Sequence, residues 1–319
     1  MTMRHDLTAE QYRALQLRCR NWGRWGPDDE IGTANLIRPE TVARAAGLVR
    51  HGRVYPLALP LDRNGPQTGK GLTGRSNIQH YMARDGGDIA AAAGDEPGFD
   101  GTDDVVQLYL QAGTQWDALA HAFYDNQMYN GRPTTEVTSA GAARNAVTGL
   151  AGRAVGRGVL LDVARTEGAR WLEPGTAIDS DDLQRCSDRQ GVTVGEGDFV
   201  LVRTGQLAQV RDRGEWADYA GGDAPGLSVD AAHFLCSRDV AAVAADTWGL
   251  EVRPSEGGLV NPVHVLLIVN AGIHLGEMWD MEELARDCAA DKTYEFLVVA
   301  PPLNITGAVG SPVTPLAIR

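Results

Sequence analysis

Residues 105–121 read VVQLYLQAGTQWDALAH, an apolar run that leads through a Gly-Thr pair into a group of polar side chains. The run VVQLYL at 105–110 predicts a β-strand, because β-branched and aromatic residues are enriched in strands. Gly113 and Thr114 predict a tight turn in which the backbone can closely approach another group. The stretch therefore predicts a strand that ends where functional side chains gather.

Four side chains able to bind a metal ion or move a proton lie within eleven residues here: Gln111, Gln115, Asp117 and His121. If Asp117–His121 forms the first turn of a helix, these two side chains share one face at i and i+4. The carboxylate can then orient the imidazole or bind a metal ion together with it. The residues alone leave a second interpretation open, a capped turn in which His121 is hydrogen-bonded to Asp117.

Outside this segment, helical and strand patterns are mixed irregularly. Thr8 and Gln11 have the spacing of a capping box for a helix over 7–19. Further helices are predicted over 40–48, over 178–191 with Asp179 or Ser180 as the cap, over 230–239 and over 281–290. Residues 62–104 predict long loops with a partial hairpin around 78–82, and loops of this length are usually functional or mobile.

Short apolar runs predict the strands, at 54–59, 158–164, 198–204, 240–247 and 295–303. Periodicity does not decide between helix and strand for 260–272. We expect a single α/β domain over residues 1–319, with a mixed β-sheet, flanking helices, and an N-terminal helix and extension at 1–24.

Composition excludes several classes of partner. The 319 residues include 42 acidic and 29 basic side chains, for a net charge of −13, whereas nucleic-acid-binding proteins usually carry a basic patch. No run of about 20 apolar residues is present, so we expect no membrane partner. The polar N-terminus lacks a secretory signal, and four scattered cysteines favour reduced thiols. We expect a cytoplasmic protein that acts on a small molecule.

Several common catalytic motifs are missing from the sequence. The glycine-rich stretches 65–74 and 152–158 lack the spacing of a phosphate-binding loop. The chain also has no G-x-S-x-G nucleophile elbow and no H-E-x-x-H zinc motif. Hydrolases of those two types are therefore disfavoured.

The segment from Gln111 to His121 resembles the H-x-G-T-H-x-D-x-P-x-H signature of the cyclase family, which includes bacterial kynurenine formamidase and isatin hydrolase. Gln replaces both early histidines, and Leu119 replaces the proline. WGPDDEIGTAN at 25–35 is similar to the opening of a divergent branch in which Gln also replaces these histidines. Further matches follow in order: GRGVLLD at 156–162, FVLVRTG at 199–205, APGL at 224–227, Asp246-Thr247, His264, Gly272 and Glu277.

The resemblance implies a swivelling β/β/α-like cyclase fold, a homodimer or tetramer, and a set of site residues. In the family, the first two histidines and the Asp bind a divalent metal ion, and the last histidine and a distant His–Glu pair are further ligands or proton carriers. Carried over by position, the catalytic residues are Asp117, His121, His264 and Glu277. Because an amide oxygen is a poorer zinc ligand than imidazole, two arrangements stay open. In the first, Gln111, Gln115 and Asp117 bind a hard ion such as Mn²⁺ or Mg²⁺ weakly, or bind none, so that the protein works without a metal ion. In the second, Asp117, His121, His264 and Glu277 bind a zinc or manganese ion.

The resemblance also implies a hydrolase of a non-peptide carbon–nitrogen bond, in an N-formyl arylamine or a cyclic amide. We expect His121 or a metal ion at Asp117 to activate water, and a metal ion or backbone N–H groups near 113–115 to hold the oxyanion. His264 then protonates the leaving nitrogen. The expected substrate-binding residues are Gln111, Thr114, Gln115, Trp116, Trp25 and Asn35. The alternatives are a metal-independent cyclase, lyase or isomerase on the same scaffold, and a binding protein without activity.

Overall fold

The computed structural model describes residues 7–69, 74–92 and 98–319. In the described residues no helix is both long and apolar enough to cross a membrane. A π-helix, Val265–Ala271, directly continues α8. The α-helices are α1 (Ala9–Cys19), α2 (Pro39–Ala46), α3 (Gly86–Ala92), α4 (Val163–Thr166), α5 (Ser180–Gln190), α6 (Gln206–Arg213), α7 (Val229–Ser237), α8 (Pro262–His264) and α9 (Glu282–Asp291).

The strands form one large mixed sheet and several two-stranded pairs. They are β1 (Val54–Pro56), β2 (Gln79–Arg84), β3 (Asp103–Gln107), β4 (Gln115–Asp117), β5 (Gln127–Met128), β6 (Arg132–Pro133), β7 (Val137–Thr138), β8 (Gly141–Ala142), β9 (Val155–Asp162), β10 (Ala177–Ile178), β11 (Phe199–Arg203), β12 (Gly226–Leu227), β13 (Ala242–Ala245), β14 (His274–Glu277), β15 (Glu295–Val299), β16 (Gly310–Pro312) and β17 (Leu316–Ile318). The large sheet has the order β1-β17-β15-β9-β11-β13-β14-β4-β16.

The centre of this sheet is parallel and its two flanks are antiparallel. Strands β9, β11, β13 and β14 run in one direction, while β15 and β4 pair antiparallel to its two sides. Parallel strands with helices on both faces are buried on both sides, which explains their nearly continuous apolar runs. The α/β class with a mixed sheet and flanking helices is thus confirmed.

Side chains alternate along the central strands and so feed two cores on opposite faces of the sheet. In β11, Val200 and Val202 pack in one core with α5, α7 and the π-helix, which we call the α8-side core. Phe199 and Leu201 point the other way and pack with residues of α9 and with Trp116. The two faces therefore have different helical cover.

The N-terminal helix is the clearest local prediction that the structure confirms. Thr8 accepts a hydrogen bond from the backbone N–H of Gln11, and the Gln11 side chain accepts one from the N–H of Thr8, completing the capping box of α1. The helix docks on the π-helix, and the hydroxyl of Tyr12 donates to the carbonyl of Pro262 at 2.8 Å. This contact holds α1 over the start of α8.

Three predicted elements differ in the structure. The strand predicted at 105–110 is Asp103–Gln107, and it pairs with β2 in an exposed hairpin outside the large sheet. The strand predicted at 54–59 is limited to Val54–Pro56. Periodicity left 260–272 undecided, and residues 262–271 are helical; the π-helical register explains why the apolar pattern matched neither a 3.6-residue nor a two-residue period.

Gly158 provides a test of the core between β9 and β15. A Cβ atom at this position would lie 2.4 Å from ring atoms of Phe296 and from a methyl group of Val298. We expect Gly158→Ala to lower the free energy of unfolding by about 1–3 kcal/mol because the core cannot accept the methyl group. Gly152→Ala is the matched control, since nothing lies within 4 Å of its Cβ position. Equal urea midpoints for both variants would contradict this packing.

Candidate functional site

Two adjacent antiparallel strands bring the motif carboxylate and a distant glutamate together. In the β4–β14 pair, Gln115 lies opposite Glu277, and Asp117 lies opposite Leu275. Leu275 belongs to the α8-side core, so the side chains of Gln115, Asp117 and Glu277 are on that face of the sheet. All three are almost completely buried.

His264 reaches the same place from α8 and is held between two carboxylates. Its Nδ1 donates to Oε1 of Glu251 at 2.5 Å, and its Nε2 lies 3.2 Å from Oε1 of Glu277. The Glu251 carboxylate also accepts the backbone N–H groups of Val263 and His264, at 3.3 Å each. Because these N–H groups open a helix, the position favours a negative charge. Glu251 thus fixes both the ring and the helix that carries it.

His121 lies next to Asp117, but the local structure is not the helical turn expected from the spacing. Asp117 ends β4, and the following turn is closed by a hydrogen bond from the N–H of His121 to the carbonyl of Ala118. The turn still brings Nε2 of His121 to 3.7 Å from Oδ1 of Asp117. The His121 side chain is 23% exposed, whereas Asp117, His264 and Glu277 are nearly inaccessible. His121 is therefore the part of the cluster that meets solvent.

The two glutamines that replace histidines both lie at the cluster. Nε2 of Gln115 donates to Oε2 of Glu277 at 2.8 Å and to Oδ1 of Asp117 at 3.2 Å, so one amide bridges two carboxylates. Gln111 packs over Gly310, which lies opposite Asp117 in the neighbouring strand. A Cβ atom at Gly310 would be 2.5 Å from Nε2 of Gln111, so glycine is needed for this approach.

The donor set at the centre fits a divalent cation. One ligand atom each from Asp117, His264 and Glu277 lie within 4.8 Å of one another. Oδ2 of Asp117 is buried and has no hydrogen-bond partner among the described residues. An unpaired buried carboxylate oxygen is costly, and a cation would satisfy it. One imidazole with two carboxylates is a donor set found for zinc, and carboxylate oxygens also suit manganese.

Burial and mutual contacts shift the pKa values of the three ionisable groups that line the cluster. Burial raises the pKa of Asp117 to about 6, against the lowering effect of His121. Burial lowers the pKa of His121 and outweighs the attraction of Asp117, so its imidazole is neutral at pH 7. Burial alone would lower the pKa of His264, but the hydrogen bonds with Glu251 and Glu277 raise it to about 10. His121 is thus neutral and accessible, whereas the nearby His264 is charged and inaccessible.

Two expected substrate contacts have structural roles. Trp116 is fully buried on the opposite face of the sheet, and its indole N–H donates to the carbonyl of Ala300, so it cannot be an aromatic wall of the site. The hydroxyl of Thr114 donates to the carbonyl of Met278 at 2.6 Å and accepts the N–H of Leu59 at 2.8 Å. Both corrections follow from strand alternation, which turns Thr114 and Trp116 away from Asp117.

The loop that carries Trp25 and Asn35 does not fold over the site. Thr33, within this loop, bonds to the carbonyls of Ala241 and Gly272, just before β13 and β14 begin. Glu277 is at the other end of β14. The Asn35 amide donates to Asp29 at 2.6 Å and to the carbonyl of Gly32, so its groups brace the loop itself. Within the chain, Trp25 and Asn35 lie away from the cluster of Asp117, His264 and Glu277.

Glu251 is a site residue that the sequence interpretation missed. It is 13 residues from His264 and has no motif around it. The available signal was a charged residue in an apolar stretch, between Leu250 and Val252, where burial requires a partner. The expected oxyanion site at 113–115 is also wrong for Gln115, because β4 lies between β14 and β16 and its backbone groups serve the sheet.

The Glu251–His264 pair predicts how the stability of metal-free protein depends on pH. A histidine whose folded pKa is raised contributes stability that is present below pH 6.5 and is lost as pH rises to about 10. We expect Glu251→Gln to reduce this loss by roughly 1 kcal/mol or more, since the neutral amide holds the imidazolium less well. Urea unfolding in the presence of a chelator at pH 6.5 and 9.5 measures this loss of stability.

The exposed variant Glu283→Gln is the control for this measurement and should keep the wild-type dependence on pH. An unchanged pH dependence in Glu251→Gln would show that Glu251 does not hold the charge of His264.

Comparison with known proteins gives the family. A profile of the Cyclase family matches residues 40–252, which is more than half of the chain. No curated protein sequence matches. The crystal structure of a novel cyclase is 37% identical, with a TM-score of 0.86 over 94% of this chain and 99% of its own.

More distant structures share the fold. Isatin hydrolase A from Ralstonia solanacearum is 22% identical, with a TM-score of 0.60 over 86% of this chain and 95% of its own. A potential metal-dependent hydrolase with cyclase activity is 19% identical, with a TM-score of 0.52 over 84% of this chain and 98% of its own. The profile match and the 37% identical structure show that the chain belongs to the Cyclase family.

Proposed function

We propose that the protein is a hydrolase of a non-peptide carbon–nitrogen bond, in an N-formyl arylamine or a cyclic amide. The observation that carries the proposal is the buried group Asp117, His264 and Glu277 with a neutral, accessible His121 beside it. Amide hydrolysis needs an activated water molecule, stabilisation of the developing oxyanion, and a proton for the leaving nitrogen. His121 is suited to the two proton transfers, and a cation held by Asp117, His264 and Glu277 would stabilise the oxyanion.

His121 carries the proton in this mechanism. Its imidazole is neutral at pH 7 because burial lowers its pKa, so it can accept a proton from the attacking water. The imidazolium formed is stabilised by Asp117, and it returns the proton to the leaving nitrogen as the carbon–nitrogen bond breaks. This assignment differs from the expectation that His264 is the acid, because carboxylates engage both ring nitrogens of His264.

Asp117, His264 and Glu277 would hold a divalent cation, zinc or manganese. When bound, such an ion supplies a Lewis acid that polarises the carbonyl oxygen and lowers the pKa of water. Glu251 then fixes the His264 ring through Nδ1 and leaves Nε2 directed at the ion site. Gln115 keeps the two carboxylates in place through its amide N–H groups.

The activities named for two proteins of the same fold support the proposal. One is an isatin hydrolase, and another is described as a potential metal-dependent hydrolase with cyclase activity. The homodimer or tetramer expected from the family stays a prediction.

One observation favours a second candidate, a metal-independent cyclase, lyase or isomerase. Gln115 already bridges Asp117 and Glu277 with its amide, which partly replaces a cation between the two carboxylates. Its Oε1 is buried without a partner among the described residues, and neither it nor Gln111 is a good zinc ligand. Full activity after exhaustive chelation would favour this candidate over the metal-assisted hydrolase.

A panel of formanilides and cyclic amides tests the proposed reaction. We expect the wild type to hydrolyse at least one member, and His121→Ala to lower kcat/KM by about 10²–10⁴-fold, since the proton carrier is lost. His264→Ala should be at least as damaging because it removes a cation ligand and leaves Glu251 unpaired. His80→Ala is the control, since this histidine is on the exposed hairpin and bonds to Asp104. Full activity in both site variants would remove the proposal.

A further inference from the structure

A guanidinium group lies beside the cluster and has no part in the mechanism above. Arg75 is half-buried, and its Nη1 donates to the backbone carbonyl of Gln111 at 3.3 Å. Its Cζ lies 5.4 Å from the ring centroid of Trp248. Gln111 opens the segment that continues to Asp117 and His121. This hydrogen bond therefore holds Arg75 at the entrance to the catalytic cluster.

The positive charge of Arg75 affects Asp117 and His121. Burial has the largest effect on the pKa values of Asp117 and His121, and the positive charge of Arg75 lowers both values. No carboxylate among the described residues forms an ion pair with Arg75. A guanidinium has five N–H donors, and only one of those of Arg75 has a hydrogen-bond partner among the described residues.

The aromatic support of Arg75 is firmly fixed. Trp248 is 6% exposed, and its indole N–H donates to Oε1 of Gln67 at 3.3 Å. Gln67 in turn donates to the carbonyl of Ala112 at 3.0 Å, next to the carbonyl that Arg75 uses. Arg253 also contacts the Trp248 ring, with its Cζ 5.5 Å from the centroid. A guanidinium supported by a fixed ring and one backbone bond is preorganised, which favours bidentate binding of a carboxylate.

The net charge of the chain makes a local positive charge useful for binding an anion. The whole chain has a net charge of −13. This field repels an anionic molecule unless a local positive charge compensates. Hydrolysis of the carbon–nitrogen bond forms a carbon–oxygen bond to water and sends a proton to the amine. The acyl part leaves as a carboxylate, so an anion is present at least after the reaction.

We propose that Arg75, supported by Trp248, forms a carboxylate-binding subsite at the entrance to the catalytic cluster. The carboxylate is either one that the substrate already carries or the one that hydrolysis produces. This inference rests on the proposed function for the identity of the product. The binding measurement below does not depend on turnover, so the subsite and the proposed function can fail separately.

Calorimetric titration with aromatic acids tests the subsite directly. Benzoate and 2-aminobenzoate are compared with the neutral benzamide and 2-aminobenzamide, on the wild type, Arg75→Met and Arg75→Lys. We expect the wild type to bind the acids more tightly than the amides, and Arg75→Met to lose about tenfold or more in affinity for the acids alone. Arg75→Lys should keep part of the preference, because it keeps the charge but not the bidentate geometry.

Arg84→Met is the matched control, since Arg84 pairs with Asp100 on the exposed hairpin. It should bind acids like the wild type. Unchanged binding of benzoate and 2-aminobenzoate by Arg75→Met would overturn the subsite, and so would an equal loss for acids and amides.

Kinetics with 2-formamidobenzoate and formanilide separate the two sources of the carboxylate. If Arg75 binds the carboxylate of the substrate, Arg75→Met raises KM for 2-formamidobenzoate and not for formanilide. If it binds the product, both KM values stay constant and inhibition by added carboxylate weakens. Selective acid binding without turnover of either compound would retain the subsite and count against the hydrolase. Turnover that Arg75→Met leaves unchanged in KM and in product inhibition would reject the subsite alone.

Discussion

The hydrogen bond between Glu251 and His264 is the contact on which the rest of the site depends. Moving a carboxylate from water to a protein interior costs several kcal/mol, and this site buries Asp117, Glu251 and Glu277 together. The imidazole between Glu251 and Glu277 offsets part of that cost, and the first N–H groups of α8 offset another part. The sheet, the helix and the catalytic cluster are therefore joined through one histidine.

The glutamines at 111 and 115 change which residues can bind a cation. A signature with histidines would hold a metal ion within the β4 segment itself. Here the amide of Gln115 donates to two carboxylates, so its nitrogen supports the ligands rather than joining them. The donor group that remains combines Asp117 with two residues from distant parts of the chain, His264 and Glu277. The buried Oδ2 of Asp117, unpartnered among the described residues, is consistent with an ion at that place.

Local sequence patterns predicted local structure well. They predicted less well which distant residues lie together in the folded chain. The capping box of α1 depends on Thr8 and Gln11 alone, so it could be predicted from the sequence. The positions of Asp117, His121, His264 and Glu277 came from family order, and the structure brings these four together. No motif indicated Glu251, because its role depends on contacts with α8 that form only when the chain folds.

The predictions that were wrong also depended on tertiary structure. Trp116 was expected at the site because it is next to Asp117 in sequence, but neighbours in a strand point to opposite faces. The loop with Trp25 and Asn35 has polar and aromatic residues typical of a cleft, yet Thr33 anchors it at the other end of β14. The apolar run at 105–110 predicted a strand, whereas β3 ends at Gln107 and pairs only with β2 in an exposed hairpin, so tertiary context decides where the strand lies.

Anomalous diffraction from crystals grown with manganese or zinc locates the bound ion. We expect one strong peak within ligand distance of Asp117, His264 and Glu277, with Nδ1 of His264 still bonded to Glu251. A peak coordinated by Gln111 and Gln115 instead, or the absence of any peak at a saturating metal concentration, would contradict it.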